Sequence, residues 1–165
     1  DYFAWGETSP KSTYDWSTYK YCNGSFYTLT KYNNSSSYGI VDNKTQLELS
    51  DDAAHVNWGG AWRMPTDAEM TELIGQCIWT WTTQNGVKGY KVTSKRNGNS
   101  IFLPAAGYYP SGSSLYDAGS YGGYWSSSLG TDDPCFAYNL NFSSSYVDWY
   151  GCHRCYGHSV RPVCQ

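Results

Sequence analysis

Pro65-Thr66-Asp67-Ala68-Glu69-Met70-Thr71-Glu72-Leu73-Ile74-Gly75-Gln76-Cys77 is the most legible stretch of this chain, and the fold is read outward from it. Thr66 and Glu69 stand three residues apart as a capping box. In that arrangement the threonine hydroxyl accepts the glutamate N–H and the carboxylate reaches back to the threonine N–H. Met70, Leu73, Ile74 and Cys77 then fall at i, i+3, i+4 and i+7, one apolar stripe on a helix. The spacing predicts a main helix over roughly 67–77.

Three strand-like runs follow, at 78–83, 87–94 and 100–105. Asn85-Gly86 separates the first two and Asn97-Gly98 the next two. Asn-Gly is the strongest short hairpin signal, because a type I′ turn needs positive φ at both central residues. Further short strands are expected at 124–127, 137–142 and 159–163. The first sixty residues are rich in loop formers, among them Gly6, Pro10, Asn23-Gly24 and the run from Asn33 to Ser37. One main helix with many short antiparallel strands reads as α+β with long ordered loops.

The chain has 165 residues, about one domain's worth, and no internal repeat or linker divides it. It is 18% aromatic with a formal charge of −3, which is not the composition of a disordered chain. No apolar run approaches a membrane span, so direct membrane insertion is not expected. Asp1-Tyr2-Phe3-Ala4-Trp5 lacks the basic-then-apolar pattern of a signal peptide, which was either removed or never present. With 11 Lys and Arg and a pI near 5.5, no nucleic-acid partner is expected. Charged residues make up only 15% of the chain, and Tyr, Ser and Gly supply the polar surface. That leans towards a secreted or surface-displayed protein.

The two halves use different alphabets. Lys, Glu, Gln and Met occur 16 times in residues 1–95 and not once in the 69 positions 96–164. Over residues 96–165, Tyr, Ser, Gly and Asn make 34 of 70. That is the composition of antibody-like binding loops, in which Tyr gives rigid amphipathic area and the small polar residues give adaptable hydrogen bonds. Lys, Glu, Gln, Met and Trp are also the five residues that no codon ending in a pyrimidine encodes. A segment diversified at the adenines of Asn codons would reach Tyr, His, Ser, Asp, Gly, Cys and Arg, but never those five. The plain alternative is a Tyr/Ser/Gly-rich surface of an ordinary β-rich domain.

Trp62-Arg63-Met64-Pro65-Thr66-Asp67-Ala68-Glu69 resembles the Arg-Leu-Pro-Thr-Glu-Ala-Glu-Trp signature of formylglycine-generating enzymes. Tyr124-Trp125-Ser126-Ser127-Ser128 and Ser159-Val160-Arg161-Pro162-Val163 fit related domains. More closely, Trp5-Gly6-Glu7, the stretch from Leu103 to Tyr108 and the Ser-Val-Arg-Pro-Val ending are similar to Fibrobacter/Bacteroides-type surface domains, many of which are variable proteins of diversity-generating retroelements. The resemblance spans nearly the whole chain and implies a C-type lectin-like fold. In that family a further strand usually precedes Trp5, so the chain is expected to begin inside the domain, truncated at its N-terminus. The resemblance further implies a C-terminal face of exchangeable residues: Tyr146, Asp148, Tyr150, Gly151, Cys152, His153, Cys155, Tyr156 and His158, joined upstream by Tyr109, Tyr116, Tyr121, Cys135 and Phe136. Trp125 and Trp149, unreachable by the codon argument, are expected as scaffold, as are Arg154 and Arg161. Because lectin-like folds commonly tie the first helix to the last strand, the resemblance also implies a Cys77–Cys164 disulfide.

Cys152-His153-Arg154-Cys155 is the one constellation with apparent chemistry of its own. A C-x-x-C pair serves redox or half a zinc site. The redox reading needs a βαβ context that is absent, and a zinc site would need His153, His158 or Cys135 to complete it. The enzymes of the superfamily hold copper with two C-terminal cysteines, which makes a copper oxidase using Cys152 and Cys155 the alternative; the spacing here is closer and the chain shorter. Asp132-Asp133-Pro134 reads as a solvated turn and His55 as structural. No metal, cofactor or catalytic residue is expected. The expected function is non-catalytic binding of a protein or glycan on another cell or surface, by an extracellular, cell-surface or phage-displayed bacterial domain. A fixed structural or adhesin domain is the remaining alternative.

Overall fold

The computed structural model describes residues 1–164. In chain order the regular elements are α1 (Ala53–Trp58), α2 (Asp67–Gln76), β1 (Cys77–Gln84), β2 (Val87–Ser94), β3 (Ser100–Pro104), β4 (Tyr121–Leu129), β5 (Phe136–Ser143) and β6 (Tyr146–His153), with three single 3-10 turns before α1. The strands form two antiparallel three-stranded sheets, ordered β1-β2-β3 and β4-β5-β6. The class is α+β. Among the described residues no helix is long and apolar enough to cross a membrane.

The capping box forms as expected. Thr66 Oγ1 accepts the Glu69 N–H at 3.2 Å, and Glu69 Oε2 accepts the Thr66 N–H at 2.8 Å. Ser128 of β4 donates to the Asp67 carboxylate at 2.9 Å, fastening the helix start to the second sheet. The helix ends where Cys77 turns extended and begins β1 directly. At the β1–β2 turn, Asn85 and Gly86 both take positive φ, +50° and +81°. The β2–β3 connection differs. Only Gly98 is left-handed there, and the Gly98 N–H bonds to the Ser94 carbonyl across a wider loop.

In the second sheet β4 and β5 are covered on both faces, and two cores meet on them. On one face Tyr124, Leu140 and Phe142 join Met70, Tyr90, Val92 and Leu103 beneath α2 and the first sheet. On the other, Trp125 and Ala137 join an aromatic cluster from the N-terminal sixty residues, including Trp5, Tyr14, Tyr19 and Tyr32. Close packing on both sides explains Gly122-Gly123 in β4. A Cβ on Gly122 would lie 2.2 Å from the Phe142 ring, and one on Gly123 would lie 2.2 Å from His158 Nδ1.

The loop-rich beginning is therefore a packed layer. It contains α1, capped by Asp52, whose Oδ1 accepts the N–H groups of Ala54 and His55 at 2.8 and 2.9 Å. Two corrections concern the C-terminal region. The expected strand at 159–163 is only a set of isolated bridges, Ser159 to Tyr124 and Val163 to Arg63. Pro162 has no N–H with which to continue a ladder. Conversely, β6 occupies Tyr146–His153, a segment expected as displayed positions with no strand named.

Candidate functional site

Side chains alternate across a strand, so pairing decides which residues share a face. β6 pairs with β5 along its whole length, from Ser143↔Tyr146 to Phe136↔His153. Tyr146, Asp148, Tyr150 and Cys152 consequently lie on one face, with Ser143, Asn141, Asn139 and Ala137. Val147, Trp149, Gly151 and His153 lie on the other. The expected ligand-contacting set is thus split by the pleat.

The first face carries a compact tyrosine cluster. Tyr116, Tyr146 and Tyr150 are 50%, 41% and 47% exposed, and Asp148 is exposed beside them. Tyr121 enters from β4, with its ring centroid 5.0 Å from that of Tyr108. Tyr108 and Tyr116 exchange backbone hydrogen bonds at 3.1 and 2.9 Å, which holds their loop against the sheet. Burial raises the Tyr121, Tyr108 and Tyr146 phenols above their ordinary range. At neutral pH these three side chains present hydroxyl donors on rigid rings.

Beneath the cluster the frame is buried. His158 stacks on Tyr108 with centroids 5.4 Å apart and meets Trp125 edge-on at 4.5 Å. Its Nε2 lies 3.3 Å from Cys152 Sγ. Burial drives the two groups in opposite senses: the imidazole falls to about 3 and the thiol rises to about 12. Both are neutral, the reverse of an activated thiolate–imidazolium pair. Cys155, in the core, is likewise pushed to about 12 by burial.

Arg154 is fully buried. Its guanidinium donates to the carbonyls of Tyr32, Pro134 and Lys31, each at 2.9 Å, and to the Tyr19 hydroxyl at 3.0 Å. The Trp5 and Tyr19 rings face it at 5.0 and 5.3 Å. It joins the end of β6 to the N-terminal layer, a scaffold position. Trp125 is buried as well, with its indole N–H donating to the Phe3 carbonyl at 2.7 Å.

Several expected residues lie elsewhere. Cys135, Cys155 and His158 are buried, so they are corrected from displayed to internal positions; each follows the chain as it turns under the sheet. Phe136 and His153 stack on each other at 4.4 Å on the opposite face, where Gly151 also lies. Tyr156 sits edge-on to His153 at 5.2 Å. Tyr109 is packed between Tyr2 and Tyr14, each 5.0 Å away. Trp149, edge-on to Tyr138 at 5.0 Å, and Arg161, both expected as scaffold, are exposed, unlike the buried Trp125 and Arg154. Cys77 is a free thiol, so the Cys77–Cys164 bridge is not formed. The tail joins the fold at Arg63, before α2, whereas Cys77 stands at the far end of a ten-residue helix about 15 Å long. A disulfide bridges at most ~7 Å between Cα atoms.

No family model, curated protein or solved structure matches this chain. Among the described residues no group of three or more His, Cys, Asp or Glu is placed to hold a metal ion. Tyr108 joins the cluster although it is not among the expected contact residues. The signal for Tyr108 was the Tyr108-Tyr109 pair itself: adjacent extended residues point opposite ways, so only one of the two could join the cluster.

Proposed function

We propose that this chain is a non-catalytic ligand-binding domain of C-type lectin-like fold, a retroelement-diversified variable protein that binds a protein or glycan at a cell or phage surface. The observation that carries this reading is the joint exposure of Tyr146, Asp148 and Tyr150 on one sheet face, with Tyr116 exposed on the loop bridged to Tyr108, above a buried frame. Exposed tyrosines on rigid backbone supply contact area at low entropic cost, and a few such anchors dominate affinity. All four residue types are reachable from Asn codons diversified at adenine. Trp125, beneath them, is not.

Sequencing the DNA beyond the coding region tests the reading. The expected result is a near-copy of this segment, differing at adenines in the codons of those four residues. The absence of any copy and of a reverse-transcriptase gene would remove the diversification part and leave a fixed binding domain. A copper oxidase built on Cys152 and Cys155 finds less support, because burial of both sulfurs opposes the thiolates it would need.

A further inference from the structure

A cleft of about 340 Å³ lies between α2, β3 and the C-terminal segment, apart from the tyrosine face. Its floor is Met70, Leu103, Tyr124 and Leu140, all buried. The one polar atom of that floor is already engaged, since the Tyr124 hydroxyl donates to the Pro104 carbonyl at 2.7 Å. Leu73 and Val163 line it further. Two charged side chains border the cleft. Glu69 is occupied: its oxygens accept from Arg63 at 2.7 and 2.6 Å and from the Thr66 N–H at 2.8 Å. Arg161 is exposed and makes no hydrogen bond or ion pair among the described residues.

Ligand pockets begin at about 300 Å³ and combine apolar walls with a few polar groups that fix orientation. Here the buried floor offers an apolar body no free hydrogen-bonding side chain, and the mouth offers a guanidinium with no hydrogen bond or ion pair among the described residues. A guanidinium binds a carboxylate through two parallel hydrogen bonds, with charge assistance. We propose that this cleft binds a small monocarboxylate with an aliphatic body, its tail against Met70, Leu103 and Leu140 and its carboxylate on Arg161. The proposal is independent of the tyrosine face.

Calorimetric titration with sodium decanoate and with 1-decanol tests it. Decanoate should bind saturably, roughly tenfold or more tighter than the alcohol. Arg161→Gln should bring decanoate down to the level of decanol and leave decanol unchanged. Leu73→Trp, which fills the cleft from a partly exposed helix position, should abolish both while the melting temperature holds. Equal affinity for acid and alcohol, no effect of Arg161→Gln, or no saturable binding at millimolar concentration would overturn the proposal. Self-association that Leu73→Trp disrupts and decanoate does not would assign the cleft to a second copy of the chain, and would overturn it too.

Discussion

Arg154 places a full positive charge where no water reaches it and no carboxylate among the described residues answers it. Three carbonyls, a hydroxyl and two aromatic faces do so instead. Removing the guanidinium leaves those acceptors buried and unpaired, at about 1–3 kcal/mol each. Arg154→Met should therefore lower stability by about 3 kcal/mol or more in denaturant titration. Arg154→Lys should recover only part of it, because a single ammonium cannot span carbonyls from Lys31, Tyr32 and Pro134. His158 gives the molecule a pH dependence whose sign is fixed by burial. Its folded value is about 3 against about 6.5 when unfolded, so the unfolded chain takes up a proton first and stability falls as pH drops through that window. Melting temperature should decline from pH 7 to pH 4 in the natural protein. In His158→Phe the decline should shrink, leaving the contribution of His153, also lowered by burial, and the onset of carboxylate protonation at about pH 4.

At the scale of the element, β6 divides its side chains between two faces, with Tyr146, Asp148 and Tyr150 displayed on one and Val147 packed on the other. Joint replacement of Tyr146, Asp148 and Tyr150 by Ser should shift stability by roughly 0.5 kcal/mol per site or less. Val147→Asp should cost several times more, because Val147 packs against the Phe142 core. Equal losses from the two sets, measured by thermal melts, would show that the strand is not two-sided. This strand also marks the limit of what the sequence disclosed. The helix was legible because its cap and its stripe are both local signals, and β1 to β3 because Asn85-Gly86 names its own turn. β6 follows a Ser143-Ser144-Ser145 connection with no glycine or positive φ, so nothing local announced it. The α1 helix had its signal, Asp52 before Ala53-Ala54 and Gly59 after Trp58, but six residues are too few for an apolar stripe to show. The tyrosine face was legible in composition, but its membership was not. Which residues share it depends on register, a property of the pair of strands.

For the whole molecule, the two cores lie on opposite faces of one sheet, and neither can loosen without exposing a face of β4 and β5. Trp125→Ala should cost about 3–5 kcal/mol, and unfolding should remain a single transition by both near- and far-ultraviolet dichroism. Two separated transitions would mean that the N-terminal layer melts alone. Acid acts on this same unit. Asp51 is pushed up by burial, but hydrogen bonds from Lys31 and Tyr32 outweigh that and hold it at about 2; the Arg63 hydrogen bonds hold Glu69 at about 2. Their contribution is complete above about pH 5 and is lost as pH falls towards about 2, overlapping the lower end of the His158 window. The pairing of β5 with β6 also restricts how this surface can change over generations. Exchange of one side chain for another leaves the strand's parity intact. One codon gained or lost between Ser143 and Tyr146 would invert it, turning Val147 and His153 towards the tyrosine face and Asp148 and Tyr150 towards the face that Val147 packs. A lineage can therefore rewrite this face letter by letter, but it cannot change its length.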